Sequence, residues 1–155
     1  MLTIKSKGGY TMQNCNLEFI GEVMRNASVA LLSIKNVIEK VDHAELRAEL
    51  RSEYEKYDAF IEELKSYMTE KGYEIKDVSK MKKMMMWSAI KMNVAVDDSR
   101  THVAQIMVKG TVMGITELTK ILNDKGCVSD EKAIEYASRL LELEEQFEEN
   151  LKTFL

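Results

Sequence analysis

The sequence predicts an all-α protein: a four-helix bundle with a long helical crossover between the second and third main helices. Three observations lead there. Four runs place apolar residues at alternating spacings of three and four, the period of one helix face. The runs form two pairs, separated by a Met-rich basic stretch from Lys80 to Met92. No proline interrupts any of them in 155 residues.

The first helix is expected from about Asn16 to Lys40, on a seam of Leu17, Ile20, Met24, Ala27, Leu31, Ile34, Ile38 and Val41. Val23, Ala30 and Val37 widen that seam into the stripe a bundle helix needs. Asp42-His43-Ala44-Glu45 resembles a capping box, so the second helix is expected to begin at Asp42. It runs to Lys71, with Gly72 as its stop and Leu46, Leu50, Tyr54, Tyr57, Ile61, Leu64 and Met68 as its seam. The short link between these two helices requires an antiparallel hairpin. A crossover helix from Lys80 to about Val96, capped by Asp77 or Ser79, would span roughly 25 Å. The next main helix would then run parallel to the second. It is expected from Arg100 to Leu122 with Ser99 as cap, on Val103, Met107, Gly110, Gly114, Leu118 and Ile121. The last helix begins after Ser129, on Ala133, Ala137, Leu140, Glu144, Phe147, Leu151 and Phe154. One member of that seam is a glutamate. Residues 1–13 are expected to be a tail and residues 14–155 a single bundle domain.

Composition excludes several classes. Charged residues make up 31% and hydrophobic residues 45%, which suits a packed domain and not a disordered chain. A net charge of -4 with a pI of about 5.4 argues against a dedicated nucleic-acid binder. No apolar run approaches the roughly 20 residues of a membrane span, and no apolar segment near the start suggests a signal peptide. Cys15 and Cys127 do not form a CxxC pair, so two free thiols and a cytoplasmic home are expected.

Four-helix bundles often hold metal in the core. A dinuclear carboxylate site takes a Glu from each of two helices and a Glu-x-x-His from each of the other two. Glu144 has Leu140, Leu141 and Phe147 around it and is expected to point inward, but Phe147 stands where the His would be. In the second helix the nearest match is Glu55-x-x-Asp58, with Asp58 in the His place. Glu117, near Met113, Gly114 and Ile121, is a fair interior candidate. Glu53, beside Glu49 and Lys56, suits the core less well, and Glu18 and Glu22 lie off the seam. If a metal binds, it is iron or manganese at Glu117, Glu144 and Asp58, without histidine. The competing expectation is that these acids pair with Lys or Tyr, or reach outward, and that no cofactor is present. His43 and His102 both fall in first helical turns, where a local role is expected. No catalytic residue can be named.

Met81, Met84, Met85 and Trp87 crowd the crossover. They suit a helix packed along the bundle, and also an interaction surface, since Met adapts to irregular partners. The Gly110-x-x-x-Gly114 spacing implies close approach of the crossover helix or of a facing helix, so Gly110→Leu should destabilise the fold.

The segments Asn16-Leu17-Glu18-Phe19-Ile20, Asp42-His43-Ala44-Glu45-Leu46 and Tyr57-Asp58-Ala59-Phe60-Ile61 resemble ferritin-like bundle proteins of Firmicutes. So do Thr101-His102-Val103-Ala104-Gln105-Ile106-Met107 and Gly110-Thr111-Val112-Met113-Gly114-Ile115. The resemblance covers about residues 14–155 and carries no diagnostic catalytic motif. It implies the ferritin-like fold and a cytoplasmic bacterial protein, and no activity. Asp58 and Phe147 at the apparent His places depart from the ferritins and rubrerythrin-like proteins, which puts iron oxidation or storage in doubt.

The leading expectation is a non-catalytic bundle that acts through self-assembly, as a homodimer, or through a partner. An atypical iron or manganese carboxylate protein is the alternative, and a small-ligand carrier with a pocket between helices is a third. No nucleic-acid partner and no membrane insertion are expected.

Overall fold

The alternating spacings do build helices, and burial selects one face of each. The computed structural model describes residues 12–74 and 99–155. These form four α-helices: α1 (Met12–Ile38), α2 (Ala44–Lys71), α3 (Arg100–Asn123) and α4 (Glu131–Lys152). There is no strand among the described residues. The expected crossover helix, and with it Met81, Met84, Met85 and Trp87, lies outside the described residues.

α1 starts four residues before its predicted position, and its first turns are anchored through Cys15 and Asn16 to residues 127–130. α2 is capped by His43 rather than Asp42: the imidazole Nδ1 accepts the Leu46 N–H at 3.2 Å. Gly72 ends α2 in the left-handed region at φ 70°, as a glycine stop requires. Ser99 caps α3 by accepting from the His102 N–H. Asp130 caps α4, and its carboxylate accepts from the Lys132 and Ala133 N–H groups.

Four joints fix the direction of each helix. Asn16 at the start of α1 bonds Ser129 and Asp130 at the start of α4. Tyr67 near the end of α2 donates to the same Asp130. Cys127, just past α3, is bonded to Cys15. At the opposite end, His43 meets Phe154 edge-on at 6.1 Å. α1 and α2 are therefore antiparallel, α3 and α4 are antiparallel, and α2 and α3 run in the same direction.

One apolar core joins all four helices, with Ile20, Ile34, Leu46, Leu50, Leu64, Leu118, Leu140 and Leu151 among its fully enclosed side chains. α2 and α4 meet through aromatic rings in edge-on or tilted pairs: Tyr57 with Phe147, Phe60 with Tyr136, and Tyr67 with Tyr136. Arg139 straps the outside of this contact with a two-pronged bond to Glu63, at 2.8 Å for each oxygen. No helix among the described residues is long and apolar enough to cross a membrane.

Candidate functional site: a polar cluster inside the core

The seam of α2 runs as predicted except at one turn, where Glu53 is enclosed more fully than Tyr54. From Leu50 to Tyr57, spacings of 4 then 3 pass through Tyr54, and spacings of 3 then 4 pass through Glu53. The fold takes the second path. Tyr54 is half-buried, whereas Glu53 is 0% exposed. One of its oxygens accepts a bond of 2.6 Å from Lys56 Nζ at the bundle rim. The other, Oε2, is enclosed and has no partner.

Tyr57 follows one turn later, at 0% exposure, and its phenolic oxygen is also without a partner. Glu144 enters from α4 at 2% exposure, with Oε2 unpartnered. Three neighbouring groups thus carry polar atoms that the protein leaves unbonded, each at a cost of about 1–3 kcal/mol. Burial pushes the Glu144 carboxyl up to about 8, so it holds its proton at neutral pH. Glu53 is also raised by burial, with Lys56 pulling the other way. The Tyr57 phenol is raised well above its ordinary value, first by burial and then by the charges of Glu144 and Glu53. The Tyr57 ring meets that of Phe147, one helical turn from Glu144, at 6.2 Å, and Glu53 lies one turn from Tyr57 on α2, so the three groups share one region of the core.

Gly114 of α3 completes the wall. A Cβ at this position would lie 3.0 Å from the Glu144 Cδ and closer still to Oε2. The close approach predicted for the glycine pair is therefore present at Gly114. At Gly110, which is exposed, nothing among the described residues lies where a Cβ would go. The α3 seam passes through Thr111 instead, whose hydroxyl is bonded to the Met107 carbonyl.

Of the predicted metal residues, only Glu144 is interior. Asp58 and Glu117 are exposed, because the actual seams turn them to the outer face. Glu53 takes the interior place on α2. Its signal was the Leu50–Glu53–Tyr57 spacing, masked by the more apolar Tyr54. No three His, Cys, Asp or Glu side chains among the described residues gather into a metal-binding group. The donors present are two carboxylates and a phenol, all hard oxygens. Such a set is of the donor type that hard cations take. It does not fit a dinuclear iron centre, which draws on more carboxylates and on histidine.

The expected free thiols are corrected: Cys15 and Cys127 form a disulfide across 112 residues, with Cα atoms 5.8 Å apart. Nothing in the spacing announces it, because the fold brings the start of α1 to the α3–α4 connection. The cytoplasmic expectation loses the support that free thiols lent it. Compared with protein-family models, curated proteins and solved structures, the chain matches none.

Proposed function

We propose that this is a ferritin-like bundle with an atypical, histidine-free core site, in which Glu53, Tyr57 and Glu144 bind one hard divalent cation such as Mn²⁺ or Fe²⁺. The observation that carries this is the set of three enclosed, unpartnered oxygens. A protein core rarely leaves such atoms unpaired, and a cation would satisfy all three at once. The parallel course of α2 and α3 supports the ferritin-like connection, with a long crossover between them. At pH 7 the ion would displace the Glu144 proton, so binding should release about one proton.

The test is titration calorimetry of the full chain with Mn²⁺ after dialysis against a chelator. About one site per chain is expected. It should be lost in Glu144→Gln and Glu53→Gln and kept in Asp58→Ala and Glu117→Ala. Absence of stoichiometric binding of Mn²⁺, Fe²⁺ and Ca²⁺ would overturn the proposal.

A second reading, self-assembly as a homodimer, is favoured by one observation. Val112 and Met113 of α3 are 42% and 52% exposed, side by side on the outer face. Sedimentation of the wild type and of Met113→Lys tests it: a dimer that the substitution dissociates is expected, and a wild-type monomer at high concentration refutes it.

A further inference from the structure

The two halves of the disulfide are placed unequally. Cys15 is 5% exposed in the first turns of α1, while Cys127 lies exposed in the α3–α4 connection. Both line an open groove of about 490 Å³ together with Glu18, Glu22, Arg25 and Lys125. The groove is open to solvent, and its walls carry both signs of charge.

The same joint is held a second time, without covalent bonds. Asn16 Oδ1 accepts from the Ser129 N–H at 2.9 Å and from the Asp130 N–H at 3.1 Å. Its Nδ2 donates to the Ser129 hydroxyl at 3.3 Å. Asn16 adjoins Cys15, and Ser129 is two residues from Cys127. If the sulfur bond opens, these contacts still hold the two cysteines near each other.

We propose that Cys15–Cys127 is a reversible latch, opened by a dithiol reductant that enters the groove at Cys127 and reclosed under the guidance of Asn16. The reductant's thiolate attacks the Cys127 sulfur, the sulfur–sulfur bond breaks, and Cys15 leaves as a thiolate that takes up a proton. The second thiol of the reductant then attacks the mixed disulfide and releases Cys127, which is protonated in turn. Two electrons and two protons pass to the protein, and the dithiol becomes a disulfide. The latch is independent of any cation in the core.

The experiment uses the full chain, purified in air and kept in native buffer. Dithiothreitol is added for timed intervals, iodoacetamide quenches, and intact mass counts the modified cysteines. No modification is expected before reduction, and two modifications after it, without denaturant. The melting temperature should fall by about 10 °C, since the bond closes a long loop. Cys127→Ser should melt with the reduced wild type and ignore dithiothreitol. On return to oxidised glutathione the wild type should reclose, and Asn16→Ala should do so about tenfold more slowly. Full modification without reductant overturns the proposal, as does reduction that requires denaturant, an unchanged melting temperature, or equal reclosure rates in wild type and Asn16→Ala.

Discussion

Gly114 and Glu144 face each other across the α3–α4 contact so closely that the carboxylate occupies the space where a side chain on Gly114 would begin. A glycine inside a helix costs roughly 1 kcal/mol relative to alanine. Here that cost is tied to the room the carboxylate needs. Gly114→Ala is expected to destabilise the protein by about 1–3 kcal/mol in urea unfolding, as overpacking does. The loss should largely vanish in the Glu144→Ala background, since the two sites share one space. Gly110→Ala should instead stabilise by up to about 1 kcal/mol, because nothing among the described residues faces Gly110 and alanine is the better helix former.

Glu144 makes stability depend on pH. Its carboxyl rises from an ordinary 4.5 to about 8 in the folded protein. The folded state therefore holds a proton that the unfolded chain has already released. Stability from this group is fully present below pH 4.5 and is lost as pH rises through about 8. The slope is on the order of 1 kcal/mol per pH unit across that window. Glu144→Gln should flatten this part of the profile and raise the melting temperature at pH 8.5. An unchanged profile in the variant would show that Glu144 is not the group responsible.

Tyr57→Phe removes an enclosed hydroxyl that has no partner. In chelator-treated protein it should leave stability unchanged or raise it by about 1 kcal/mol, since a desolvation cost disappears. With Mn²⁺ present the same variant should bind the ion less tightly. Chemical unfolding with and without Mn²⁺ separates the two effects. A marked loss of stability without the ion would mean that the hydroxyl is bonded.

Asp130 accepts from the hydroxyls of Tyr67 and Tyr73 and from two backbone N–H groups. Burial pushes this carboxyl up, but those four bonds outweigh it and hold it below its ordinary 3.8. Its contribution is present above 3.8 and is lost as pH falls through the folded value. Asp130→Ala should cost about 2–4 kcal/mol at pH 7, combining a lost cap with two stranded phenols. The variant should also lack the wild type's loss of stability in acid, which denaturation followed from pH 6 down to pH 2 will reveal.

Much of the fold was legible in the residues because heptad spacing constrains which face is buried. The stripes on α1 and α4 are buried or half-buried as predicted, Glu144 included. The site was harder to see, because two legal paths run along both α2 and α3. On α2 hydrophobicity favours Tyr54, yet the backbone rotation set by Leu46, Leu50 and Leu64 brings Glu53 inside. On α3 the path takes Thr111 over Gly110, which turns Glu117 outward. Asp58, one residue past the buried Tyr57, is turned out by the same geometry. The disulfide lay beyond sequence reasoning, since only the direction of the helices brings residues so far apart in the chain to one end.

The bond between Cys15 and Cys127 also divides the chain in a way that helix packing alone does not. It closes a covalent ring that contains α1, α2 and α3 and leaves α4 as an arm attached beside the knot. Among the described helices, α4 alone lies outside that ring, and it carries Glu144, Tyr136 and Phe147. The two core carboxylates therefore come from opposite sides of that bond, Glu53 from inside the ring and Glu144 from outside it.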